Sequence, residues 1–208
     1  MLSRFNICCM ISPEDLLTGY ANGIFPMADA RDDPKAKWYT SRHRGIIPLD
    51  NFKVSSNVRR IIRNHHYHIK FDHAFRRVMK ACADRNSTWI SDEIIDSYCN
   101  LHELGHGHSV SVYDQEWELV GGQYGVSLGA AFFGESMFGT AKEASKVALY
   151  WTQKALVQGN FELWDTQFWS EHLAQFGCIE IPAEEYRAKL ETAIRRDASF
   201  EPVDTKFP

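Results

Sequence analysis

No run of eighteen apolar residues occurs in the 208-residue chain, so a membrane-spanning helix is not expected. No basic-then-apolar leader with a small-residue cleavage site opens it, and a cytoplasmic protein without membrane attachment is expected. Cysteine is sparse. Five are present, an odd number without C-x-x-C spacing, which argues against a disulfide framework and reads as reduced thiols in or near the core. Positive charge is in deficit, 23 Lys and Arg against 27 Asp and Glu, for a net charge of -4. The molecule as a whole is therefore not a basic nucleic-acid binder, and any RNA contact has to come from a local patch. Internal repeats and low-complexity segments are lacking too. What remains is ordinary for a globular chain: 44% hydrophobic and 24% charged residues, enough for the core of one good-sized domain with a small appendage.

The order of elements follows from local signals. Ser12-Pro13-Glu14-Asp15 opens a helix, with Ser12 as N-cap and Pro13 at the first helical position. Asn22-Gly23 closes it. Ile24 to Met27 reads as an apolar elbow, Trp38-Tyr39 and Gly45 to Leu49 as short strands, and residues 1–48 as a small N-terminal domain. Residues 53–66 form a helix with Val54, Val58, Ile61 and Ile62 on one stripe and Arg59, Arg60 and Arg63 largely opposite. That basic cluster is either a solvated face or a phosphate-binding patch. Beyond it come a strand at 67–71, a helix capped by Asp72, a helix from Ser91 to about Leu104, and a hairpin joined by Asp114-Gln115-Glu116. A third strand, a helix at 142–158, a strand at 161–164, a short helix, a strand at 178–181 and a last helix complete residues 49–208, with a loose tail from 197. Two helices, an antiparallel meander and a crossover helix make an α/β (α+β) chain of acyl-CoA N-acyltransferase-like (GNAT-like) order.

The chemistry concentrates between Leu119 and Gln167. Glycines at 121, 122, 125, 129 and 134 interrupt strand-period residues, and glycine in a strand marks a bulge or close approach. Phe132 and Phe133 lead to Glu135, and the strand Phe161 to Trp164 leads to Asp165 and Gln167. Polar groups at strand ends beside a glycine-rich strand make either a pocket or ordinary caps. His102-Glu103-Leu104-Gly105-His106 satisfies H-E-x-x-H, but Gly105 and Gly107 interrupt the helix that a zinc site requires, and a helix C-terminus is the expectation.

Taken together, Gly19-Tyr20-Ala21-Asn22-Gly23-Ile24-Phe25-Pro26, Thr88-Trp89-Ile90, Leu119-Val120-Gly121-Gly122, Gly134-Glu135-Ser136-Met137-Phe138, Ala144-Ser145-Lys146 and the pair Asp165 and Gln167 resemble the leucyl/phenylalanyl-tRNA–protein transferases along nearly the whole chain. The resemblance implies an aminoacyltransferase that moves Leu or Phe from aminoacyl-tRNA to proteins with N-terminal Arg or Lys, marking them for N-end rule degradation. It implies no cofactor, neither metal nor coenzyme A, and a monomer is expected. Asp165 and Gln167 match the catalytic pair, the carboxylate bonded to the amide and accepting a proton from the attacking amine. Glu135 matches the glutamate that receives an amino group. Trp89 would stack on the terminal adenine, and Phe132, Met137 and Leu149 would line the side-chain pocket. Arg59, Arg60 and Arg63 would hold tRNA phosphates. Met27 stands where members carry a second tryptophan. Gln123 and Thr152 stand where they carry apolar residues, so a polar pocket for another donor, such as Arg-tRNA, is an alternative. A coenzyme A-dependent acyltransferase and a non-catalytic tRNA-binding module are others.

Overall fold

The computed structural model describes residues 10–33 and 35–206. Helix α1 (Pro13–Ala21) begins as its local sequence dictates, with Ser12 Oγ accepting from the Asp15 N–H at 3.1 Å and two acids in the first turn. Strands β1 (Phe25–Ala28) and β2 (Ala36–Tyr39) then pair as an antiparallel ribbon. β1 occupies the segment expected to be an elbow. Pro26 lacks a ladder donor, and a two-stranded ribbon, all edge, tolerates that loss.

Strand β3 (His43–Ile46) leaves this small lobe and enters the main sheet. The remaining strands are β4 (His68–Phe71), β5 (Gly107–Tyr113), β6 (Leu119–Leu128), β7 (Ala131–Gly139), β8 (Leu163–Gln167) and β9 (Ile179–Pro182). Their spatial order is β4-β5-β6-β7-β8-β3-β9. All neighbours are antiparallel except β7 and β8, which run parallel and are joined by the crossover helix α5 (Ala144–Gln158). The sheet is therefore mixed.

Strand periodicity sends successive side chains into two cores. Phe133 packs with α1, α3 (Phe75–Ala83), α4 (Asp92–Glu103) and α7 (Ala183–Ala193), through residues such as Tyr20, Val78, Tyr98 and Tyr186. Phe132 packs on the other face with α2 (Ser56–Arg63) and α5, through Val58, Ile62, Val147 and Trp151. α2 is shorter than expected because Ser55 Oγ caps the Val58 N–H, and Asn64 ends it. Asp72 does not cap α3. Its φ is +52°, and its carboxylate instead accepts from the Ser109 N–H and bonds His108. The segment expected as a loose tail is anchored: Phe200 is 7% exposed and stacks on Phe132 and His108. Among the described residues, no helix is long and apolar enough to cross a membrane.

A bulge on β7 sits at the centre of the sheet, with Glu135 as its extra residue. The register shifts between Tyr124 and Gly125, and Gly125 sits opposite Gly134. A Cβ at 125 would stand 2.4 Å from the Phe133 carbonyl oxygen and 2.5 Å from Phe132 Cζ. Backbone on one side and a packed ring on the other leave no room to relax. Gly125→Ala should lower the free energy of unfolding by about 2 kcal/mol, read as a lower urea midpoint at unchanged m-value.

Candidate active site

β8 lies between β7 and β3, and its last residues carry the site. Asp165 is 0% exposed and Arg44, from β3, is 1% exposed. Arg44 Nε donates to Asp165 Oδ1 at 2.9 Å and Nη2 donates to Oδ2 at 2.6 Å. The guanidinium is sandwiched between the Phe25 and Tyr186 rings, 4.8 and 4.6 Å from their centroids. Its Nη1 donates to the Gly23 carbonyl at 3.0 Å. The Tyr186 hydroxyl donates to Asp165 Oδ2 at 2.7 Å, and the Gln167 backbone N–H donates to Oδ1 at 2.7 Å. Burial alone would weaken the arginine's hold on its proton, but the adjacent carboxylate outweighs that and keeps Arg44 charged.

Gln167 ends β8 with φ +57°, the left-handed region that a β-carbon disfavours. Its side-chain amide donates to Glu135 Oε1 at 3.2 Å. The geometry thus differs from the expected Asp165–amide bond: the carboxylate holds the main chain of Gln167, while the amide reaches Glu135. The reason is the buried arginine, which takes both carboxylate oxygens together with Tyr186.

Glu135 stands on β7 and is half-buried. Besides Gln167, it accepts from the Tyr20 hydroxyl at 2.7 Å and, through Oε2, from Tyr98 at 3.5 Å. The two tyrosine hydroxyls also bond each other. Desolvation pushes the Glu135 carboxyl up to about 8, against the Tyr20 bond and the Arg44 charge that favour ionisation, with the Asp165 charge adding to the rise. Burial, together with Glu135, keeps Tyr20 and Tyr98 neutral well beyond the ordinary phenol range.

A cavity of about 70 Å³ opens beside Glu135, walled by Ile47, Gln123, Met137, Leu149 and Trp164 among others. Met137, Leu149 and Gln123 thus gather as expected. Phe132 does not line it, and sits in the core behind, ring-stacked on Phe200. Thr152 donates to the Ala148 carbonyl of its own helix at 3.0 Å and is likewise absent from the wall. Trp89, on the loop between α3 and α4, is half-buried against the first core, and its carbonyl accepts from the Ala28 N–H at 3.0 Å, next to Met27. Neither Trp89 nor Met27 lines the cavity.

Arg59, Arg60 and Arg63 lie on α2, and among the described residues none has a carboxylate partner. All three are exposed. Arg59 lines a groove of about 280 Å³ with Leu49, Tyr150 and Lys154. Leu149 and Tyr150 are consecutive on α5, so groove and cavity share one helix. The H-E-x-x-H histidines are separately engaged: His102 Nδ1 with the Gly107 carbonyl and His106 Nδ1 with the Ser127 carbonyl. Gly105, at φ +82°, terminates α4 as expected. Sequence reasoning missed Arg44, Tyr98 and Tyr186 as site residues. Tyr20 lies inside a segment that carries the resemblance, but no role of its own is read from it.

The chain matches the family model described as leucyl/phenylalanyl-tRNA protein transferase over residues 46–191, and the model of its N-terminal domain over residues 10–42. A curated protein of Rhodopseudomonas palustris (strain BisB18), named leucyl/phenylalanyl-tRNA–protein transferase, is 48% identical over 212 residues, covering 100% of this chain and 92% of its own. One of Cereibacter sphaeroides (strain ATCC 17029) with the same name is 50% identical over 192 residues, 92% of this chain and 89% of its own. Among solved structures, the crystal structure of FemX aligns with a TM-score of 0.52 at 12% identity, over 86% of this chain and 70% of that one, a likeness of fold alone.

Two outcomes follow from the site's electrostatics. Arg44→Met strands the Asp165 charge in the core and should cost about 3–5 kcal/mol, measured by urea unfolding, with Asp165→Asn in the same background recovering part of the loss. Glu135 binds its proton more tightly when folded, at about 8, than an unfolded glutamate at about 4.3. Its contribution to stability is full below the unfolded value and is lost as pH rises through the folded one. Between about pH 5 and pH 8 the wild type should therefore lose stability relative to Glu135→Gln; a constant difference across that range would contradict the assignment.

Proposed function

The chain belongs to the leucyl/phenylalanyl-tRNA–protein transferase family and is an aminoacyltransferase acting from tRNA to protein; from that premise we propose that Glu135, Gln167 and Asp165 form its reaction centre. The observation that carries this is the hydrogen-bonded connection from a cavity-facing carboxyl, through the Gln167 amide, to a residue whose backbone N–H rests on the buried Asp165. The donor is Leu or Phe esterified to tRNA, and the acceptor is a protein beginning with Arg or Lys. The donor's side chain enters the cavity against Met137, Leu149 and Gln123.

The acceptor's α-amine attacks the ester carbonyl. A C–N bond forms, the C–O bond to the ribose breaks, and one amine proton ends on the leaving oxygen. Glu135 is the group suited to carry that proton. Its affinity, at about 8, lies near operating pH, where general acid–base help is most efficient and contributes about 10²–10⁴-fold. Asp165 has no free oxygen turned to the cavity, so it acts by fixing Gln167 and Arg44, which orient the reacting groups. Since the ester is already activated, orientation supplies the larger share, roughly 7–11 kcal/mol of the barrier.

Outside the centre, Arg59, Arg60 and Arg63 hold acceptor-stem phosphates, Trp89 stacks on the terminal adenine, and Met27 stands beside it. The chain divides near residue 48 into a small domain and a GNAT-like domain, with β3 as the strand that ties them. We place the protein in the cytoplasm as a monomer feeding N-end rule degradation. A coenzyme A donor is disfavoured because Glu143 sits at the N-terminus of α5, bonded to Lys146 and Asn57, where a pyrophosphate would need to approach.

Transfer of radiolabelled Leu from charged tRNA to an Arg-initiated peptide tests the centre. Glu135→Gln and Gln167→Ala should each lower kcat about 100-fold while leaving tRNA affinity unchanged. Wild-type turnover in both would overturn it, and retained tRNA binding with no transfer by the wild type would favour a binding module. Replacing Arg59, Arg60 and Arg63 by Ala should weaken binding and reduce the slope of log K against log salt by roughly one for each phosphate that an arginine no longer neutralises. An unchanged slope would remove the patch from the interface.

A further inference from the structure

Arg85 is exposed in the loop between α3 and α4, the loop that also carries Trp89. Its guanidinium rests on β7. Nη2 donates to Ser136 Oγ at 2.9 Å and to the Met137 carbonyl at 3.1 Å, and Nε donates to the Cys82 carbonyl of α3 at 2.7 Å. Ser136 and Met137 follow Glu135 on the strand, and all three line the cavity. Among the described residues no carboxylate pairs with Arg85, and its Nη1 has no partner.

Two carbonyls and a hydroxyl fix this guanidinium without neutralising it. An exposed arginine ordinarily loses side-chain freedom when it binds a ligand. Here much of that freedom is lost on folding, so an anion meets a preorganised cation. The two N–H groups of Nη1 remain to donate to it. The surroundings indicate which anion. Trp89 packs against the first core, which includes Tyr20 and Tyr98, the two tyrosines that bond Glu135. Arg85 follows α3 on that same face, whereas α2 with its three arginines packs on the opposite one. With the donor's amino end at Glu135 and the terminal adenine on Trp89, the anionic group nearest to that nucleoside is its own 5′ phosphate. Arg85 is the fixed cation tied both to the wall beside Glu135 and to the loop of Trp89.

We infer that Arg85 binds the phosphate that joins the terminal adenosine of the aminoacyl-tRNA to the preceding nucleotide. This rests on the reading of Glu135 and Trp89 as the two anchors of the terminal aminoacyl-adenosine.

Two unreactive donor analogues test it: adenosine carrying leucine as an amide on the ribose, with and without a phosphate on the 5′ hydroxyl. Each is measured as an inhibitor of leucyl transfer from charged tRNA to an Arg-initiated peptide. The ratio of the two inhibition constants in one preparation does not depend on how much enzyme is folded. For the wild type the phosphate should lower the inhibition constant by about tenfold or more, the size of a charge-assisted hydrogen bond. Arg85→Gln should bring the ratio to about one, and Arg85→Lys, which keeps the charge but not the planar fork, should retain part of the gain. An arginine that only fastens the loop would weaken both analogues equally when replaced and leave the ratio where it was. A ratio near one in the wild type, or a gain that survives in Arg85→Gln, would overturn the inference and leave the transferase reading standing. Inhibition by neither analogue would sink the reading of the two anchors, and the inference with it.

Discussion

The ion pair between Arg44 and Asp165 organises the centre of this molecule. Through it β3, β8, α7, the α1–β1 connection at Gly23 and the main chain of Gln167 are fixed to one another. Removing two charges from water is expensive, and well-packed apolar residues of similar volume often give equal or greater stability. The pair is therefore better understood through what it positions than through what it stabilises. β3 comes from the first lobe yet hydrogen-bonds to β8 and β9, so Arg44 sits where the lobe meets the sheet.

That placement governs the neighbouring carboxyl. Glu135 experiences the Asp165 charge as repulsion and the Arg44 charge as attraction, and desolvation tips the balance toward holding a proton near pH 8. Two neutral tyrosines, from α1 and α4, complete its surroundings. An ammonium entering the cavity would reverse the balance, since an opposite charge at short range favours the ionised carboxyl. In the proposed mechanism, arrival of the amine and release of a proton would be coupled through this one side chain.

What the sequence disclosed depended on the range of the interactions involved. The α1 cap, the Gly105 helix stop and the β5–β6 hairpin are local, and each was legible. Asp72 looked like an equally good cap, but His108 and Ser109 lie 36 and 37 residues away and compete successfully for its carboxylate. Phe200 reads as an isolated aromatic in a polar tail, and only the folded chain brings Phe132 beneath it. The site divides the same way. Glu135, Met137, Asp165 and Gln167 were singled out because they sit in recognisable segments, and the fold brings them into one neighbourhood. Arg44 sits 121 residues from its partner, and nothing in its own strand announces the pairing. The direction of the Gln167 amide was not legible either, because it depends on a left-handed backbone at the end of β8.

Departures from ordinary packing collect around the cavity beside Glu135. A left-handed glutamine, a desolvated glutamate and a fully buried ion pair lie there. Each lowers stability, and in a fold shaped only for stability they would be replaced. Local rules broken together at one place are how a functional site shows itself physically. The surrounding glycines make the concentration possible. Gly125 and Gly134 let β6 and β7 meet at a bulge without side chains between them. The bulge leaves Glu135 as the extra residue of β7, between the Tyr124–Ser136 and Gly125–Gly134 pairs. The cavity thus opens beside the residue of β7 that the register shift leaves without a partner on β6.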